Sequence, residues 1–176
     1  MNELIIKAGG AVCVVSATVL WGEFKAKSLT LRLQQLQQFQ QALHLLTAEI
    51  SYTVTPLPAA FENISKTIKG TVGEIFGRAG MIMRKDGDSN AREAWQQAVS
   101  ELFPETFFSE EDVKIVEQLG TSLGMSDREG QLKQIKLVSG LLKGALDEAL
   151  ERRNRNERMW RYLGLLGGLV LVVVFI

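Results

Sequence analysis

The side chains able to do chemistry are few and scattered. The chain has one cysteine, Cys13, and one histidine, His44. Cys13 lies inside an apolar run, which removes a Cys–His nucleophile. A Ser-His-Asp arrangement would have to use His44, whose neighbours form a Gln-rich helix face; the ring is expected as partly buried packing beside Leu43. A metal site would need to be built largely from carboxylates. The tight acidic group, Glu110, Glu111 and Asp112 in "SEEDVKIVEQLG", has a simpler reading. Ser109 with Asp112 three residues on is a capping pattern, and acids suit a helix N-terminus. "GTVGEIFGRAG" lacks the Lys-Ser/Thr and the preceding strand of a phosphate-binding loop. No catalytic residue, cofactor or metal is expected, and the chain is read as not an enzyme.

One short stretch, "AEISYTVTPLPAAF" from Ala48 to Phe61, gathers a carboxylate, a phenol, several hydroxyls and two prolines. Helix-end chemistry accounts for most of it. Thr53 and Val54 are poor helix formers, and Pro56 biases Thr55 away from helix. Thr55 is then expected to cap the next helix, with Pro56 at its first position. Capping leaves Glu49 and Tyr52 unexplained. With Asp127, Arg128 and Gln131, at the start of the last helix, they are polar residues that a bundle does not need, and they are the candidate partner interface. Local roles compete: Asp127 and Arg128 as N-terminal helix residues, and Tyr52 with its ring in the core and its hydroxyl at the edge.

The elements that must position these groups are helical. Only 3 prolines, 7% aromatic residues and no sustained period-two alternation argue against an all-β chain. Glu23 to Tyr52 reads as one long helix. Leu29, Leu36, Leu43 and Ile50 recur every seven residues, and Phe39 and Leu46 fill three-on positions, which makes a coiled-coil-like seam. Gln34, Gln35, Gln37, Gln38, Gln40 and Gln41 form its polar faces. Such a helix can pack within its own domain or against another copy. Further helices are expected over Pro56–Lys69, Val72–Arg84, Ala91–Leu102 and from Ser109, with Trp95 as a core anchor and Ser89 or Asn90 as a cap. A last helix starts at Ser126, where "SDRE" forms a second capping box. Gly70, Gly73, Gly77 and Gly80, at three- or four-residue spacing, fit either close helix approach or a weak, mobile segment. The fold class is all-α: a membrane-anchored helical bundle with two long helices and about four short ones between them.

Both ends are apolar. Residues 4–22 carry one charge, Lys7, and residues 162–176 carry none. A spanning helix needs roughly 20 residues for a hydrocarbon core about 30 Å thick. The shorter second run is extended by snorkelling of Arg158 and Arg161 and by a Trp160–Tyr162 belt; Trp21 is the interfacial aromatic of the first. No small-x-small cleavage site follows the first run, so it reads as an uncleaved anchor. Lys25, Lys27 and Arg32 follow it, and Arg152, Arg153, Arg155, Arg158 and Arg161 precede the second run. The positive-inside rule puts residues 23–161 in the cytoplasm with both tips outside. The membrane-surface set is Trp21, Arg152, Arg153, Arg155, Arg158, Trp160, Arg161 and Tyr162. A formal net charge of zero and no other basic surface exclude nucleic acid as an expected partner.

The sequence resembles the stage III sporulation protein AB family of endospore-forming bacteria over nearly its whole length. The likeness rests on "LQQFQQALHLLTAEISYTVTPLPAAF", on "AWQQAV", on "LGTSLGMSDREGQLKQIKL" and on the Arg/Asn-rich run leading to "YLGLLGGLVLVVV". The resemblance implies a mother-cell component of the channel complex between mother cell and forespore, similar to the inner-membrane platform of secretion and pilus machines. It implies as partners the companion ATPase, stage III protein AA, and other channel membrane subunits. A self-associating membrane scaffold, pairing through the Gln34–Ile50 seam, is the second reading.

Overall fold

The structure is a computed structural model. It describes residues 27–53, 55–85, 90–121, 123 and 127–175, and for residues 53, 156–158 and 160–175 the backbone alone. The described residues are helical: α1 over residues 27–48, a π-helical turn Glu49–Thr53, α2 Leu57–Thr67, α3 Thr71–Lys85, α4 Ala91–Leu102, a 3-10 turn Phe103–Glu105, α5 Glu110–Gly120 and α6 Arg128–Phe175. The chain divides into two compact units, Arg32–Ala149 and Met1–Leu31 with Leu150–Ile176.

The core belongs to the first of these units. Leu36, Phe39, Leu43, Leu46 and Ile50, the heptad seam of α1, are buried in it. That seam is satisfied by the chain's own helices and is not open to another copy, which corrects the second reading as stated. Trp95 is fully buried, 4.9 Å centroid to centroid from Phe76 and 5.6 Å from Phe61 in T-shaped arrangements. Its indole N–H donates to the Val116 carbonyl at 2.8 Å, and its ring lies over Gly120, where a Cβ would stand 2.6 Å from Cδ1. Trp95 thus joins α4 to α5 through a position that admits no side chain.

The glycines of α3 decide between the two readings left open. α2 packs on α3. A Cβ at Gly73 would lie 1.9 Å from the Ile68 carbonyl oxygen, and one at Gly80 3.1 Å from that of Pro58. These glycines allow close approach. Gly70 has φ +81° and makes the turn between α2 and α3.

Several helix ends depart from expectation. α1 widens into a π turn at Glu49 instead of continuing to Tyr52 as an α-helix. Thr55 does not cap α2: Pro56 occupies the cap position, its carbonyl accepting from Ala60 N at 3.0 Å. The Thr55 hydroxyl is used elsewhere, on Glu49. Asn90 caps α4 by accepting from Arg92 N at 3.1 Å. Ser109 and Asp112 form the expected capping box. α6 begins at Arg128, capped by Asp127, whose Oδ1 accepts from Gly130 N at 3.1 Å; Ser126 lies outside the described residues.

Of the expected anchors, residues 4–22 with Trp21 lie outside the described residues. Over 162–175 the backbone is helical, while the side chains of Arg158, Trp160, Arg161 and Tyr162 lie outside the description. Among the described residues no helix is long and apolar enough to cross a membrane. Arg152, Arg153 and Arg155 are exposed.

Candidate docking surface

One hydrogen bond and one charge interaction indicate how the long helices run within the Arg32–Ala149 unit. Gln40 Nε2 donates to Ser139 Oγ at 2.6 Å, and Arg32 lies in the field of Glu148. Numbers rise along α1 as they fall along α6, so the helices are antiparallel. That brings the end of α1 and the start of α6 to the same end of the bundle. Glu49, Tyr52, Asp127, Arg128 and Gln131, separate in sequence, share it.

Their states differ. Glu49 accepts from Thr55 Oγ1 at 2.7 Å and from Asn63 Nδ2 at 3.0 Å. It therefore ties the π turn to Thr55, ahead of α2, and to Asn63 of α2 itself, a local role that the sequence reading did not assign. Asp127 is the α6 cap. Arg128 is exposed and Gln131 half-buried. Tyr52 is 88% exposed, against the alternative that its ring fills the core. Tyr52 and Arg128 are the two exposed groups of the five without a local capping task. His44, expected in partial burial, is also exposed.

A polar cluster escaped the sequence reading. Arg32, taken there as a flanking cation, is buried at 7% exposure against Asp112 at 0%. Its Nε donates to Asp112 Oδ2 at 2.6 Å, one Nη to Oδ1 at 2.9 Å and to Ser109 Oγ at 3.3 Å. Burial pushes the Asp112 carboxyl up, but the Arg32 hydrogen bond and the Ser109 N–H outweigh it and hold it below the usual range. The hydrogen bond to Asp112 raises Arg32 against the opposing effect of burial. The signal was present: Arg32 stands three residues after Leu29, the position that Phe39 and Leu46 take after Leu36 and Leu43. An arginine on a buried seam demands a buried acid.

Among the described residues no group of three or more His, Cys, Asp or Glu could hold a metal ion. An open groove of about 440 Å³ runs past Lys69, Gly73, Gly77, Met81 and Leu102; the guanidinium at its edge, Arg78, is bonded to Glu101 at 2.7 Å.

The described residues define a class first: an all-helical bundle. Residues 7–176 match the family model described as stage III sporulation protein AB. The chain is 34% identical over 170 residues to stage III sporulation protein AB of Bacillus subtilis (strain 168), covering 97% of this chain and 99% of that one. It also superimposes on a solved structure of a stage III sporulation protein AB with a TM-score of 0.67 and 30% identity, over 71% of this chain and 98% of that one. The chain belongs to the stage III sporulation protein AB family, and its role is in sporulation.

Proposed function

We propose that this chain is a non-enzymatic, membrane-anchored platform of a sporulation channel that couples a cytoplasmic ATPase, the companion stage III protein AA, to other membrane subunits. The observation that carries the reading is the common end of α1 and α6, where Tyr52 is 88% exposed within a turn pinned by Glu49. Tyrosine and arginine are the residue types that anchor interfaces, and Arg128 shares that end. Anchoring rests on the two apolar runs, 4–22 and 162–176, and on the arginines before the second. Each of Arg152, Arg153, Arg155, Arg158 and Arg161 adds about 1 kcal/mol of attraction to an anionic leaflet. The flanking cations support an orientation with the domain in the cytoplasm and both termini outside, and the family resemblance supports a mother-cell membrane facing the forespore.

Pull-down of the ATPase by the full-length chain in detergent tests the coupling. Binding that is lost in Tyr52→Ala and Arg128→Glu is the expected result. Absence of binding by the wild-type chain, both in membranes and purified, would sink it. A second reading, self-association, is favoured by a different surface.

A further inference from the structure

The six glutamines of α1 fall into two sets. Gln35, Gln38 and Gln40 work inside the fold: Gln35 Oε1 accepts from Phe107 N at 2.7 Å, Gln38 Nε2 donates to the Lys69 carbonyl at 3.3 Å, and Gln40 holds Ser139. Gln34, Gln37 and Gln41 are exposed, and no hydrogen bond among the described residues engages them. With His44 and Ala48, also exposed, they recur at alternating spacings of three and four. This is the spacing of a heptad seam, on the face of α1 turned away from the core. The helix carries two seams, an apolar one inward and a neutral polar one outward.

The outward seam is unusual in its charge. No Asp, Glu, Lys or Arg occurs between residues 33 and 48. Every other described helix of the Arg32–Ala149 unit exposes charge: Lys66 on α2, Arg78 on α3, Glu93 on α4, Lys114 on α5, Lys136 on α6. Depletion of Lys, Asp and Glu is a compositional mark of a buried interface centre. It also selects the occupant. In a two-fold pair with parallel helices each residue meets its own copy. A charged residue there repels itself. A glutamine does not, because its amide both donates and accepts.

We infer that the Gln34–Gln37–Gln41–His44–Ala48 face of α1 docks against the same face of a second copy of this chain, with the two α1 helices parallel and in register. The parallel sense rests on the anchoring reading above, since two copies anchored in one membrane point α1 the same way. The pairing corrects the self-association reading by moving it from the buried seam to the opposite face.

Cysteine cross-linking of the full-length chain tests it, in a Cys13→Ser background and in native membranes. Gln37→Cys and Gln41→Cys are each expected to give a disulfide-linked homodimer on mild oxidation, while Glu93→Cys on α4 gives none. Dimer formation is expected to persist from low to high salt. The Gln37→Lys/Gln41→Lys chain is expected to lose the dimer, and co-expression with a Gln37→Glu/Gln41→Glu chain to restore it as a heterodimer; circular dichroism checks folding. The inference is overturned if Gln37→Cys and Gln41→Cys stay monomeric, link only to another polypeptide, or link no better than Glu93→Cys. Membrane fractionation reports anchoring separately. A chain absent from membranes that still links through Gln41→Cys would defeat the anchoring reading and the parallel sense, but not the face.

Discussion

At the scale of single residues, the Arg32–Asp112 pair makes the sharpest demand. Removing one partner leaves the other charged and buried, so Asp112→Ala is expected to cost about 3–5 kcal/mol. Replacing both, as Arg32→Met/Asp112→Leu, should cost no more than the lost α5 cap, about 1 kcal/mol. Chemical unfolding followed by circular dichroism compares them. The pair also sets an acid dependence. Because the folded Asp112 carboxyl sits below its ordinary range, the unfolded chain takes up the proton more readily as pH falls. The pair's stabilisation is complete above the ordinary carboxylate pKa and is lost as pH drops through the folded value. Wild type is expected to lose stability in acid faster than the double variant; equal slopes would show that another group is responsible.

Among the helices, glycine is used in two ways with opposite expected consequences. At Gly73 a methyl would meet the Ile68 carbonyl oxygen at 1.9 Å, and neither group is the end of a flexible side chain. Gly73→Ala should therefore separate α2 from α3 and destabilise by about 1–3 kcal/mol. Gly140 and Gly144 on α6 have nothing within 4 Å of an added Cβ. There alanine should stabilise by about 0.5–1 kcal/mol per site, through helix propensity. Thermal melts of the variants read the sign directly, and a stable Gly73→Ala protein would contradict the packing of α2 on α3. In the sequence these glycines look alike; only the neighbour in space tells a contact from an open position.

For the molecule as a whole, the prediction concerns the shared end of α1 and α6. Tyr52→Ala removes a ring that is 88% exposed, so the melting temperature is expected to stay at the wild-type value. An interface anchor contributes about 2 kcal/mol or more, so ATPase binding should weaken roughly 30-fold. Glu49→Gln is expected to differ: it loosens the bonds to Thr55 and Asn63 and so should raise amide exchange in the π turn as well as weaken binding. Isothermal titration with the purified ATPase, paired with hydrogen exchange, separates the two behaviours. If Tyr52→Ala binds as wild type does, the docking end lies elsewhere.

Much of the fold was legible beforehand for a physical reason: helix formation and capping are local. The all-helical class, the seam of α1, the four short helices, Trp95 in the core, and the Asn90 and Ser109–Asp112 caps follow from periodicity and from side-chain-to-backbone bonds spanning a few residues. Family membership was legible too, in motifs spread along the chain. The long-range choices belonged to tertiary structure. Whether Thr55 capped α2 or bonded Glu49, whether Arg32 merely flanked the first apolar run or met Asp112, and whether Tyr52 packed inward or faced solvent each depended on how side chains met in the folded chain. Period alone also could not say which glutamines of α1 would be spent inside the fold. The antiparallel run of α1 against α6 decided that Gln40 reaches Ser139, while Gln34, Gln37 and Gln41 remain on the outer face.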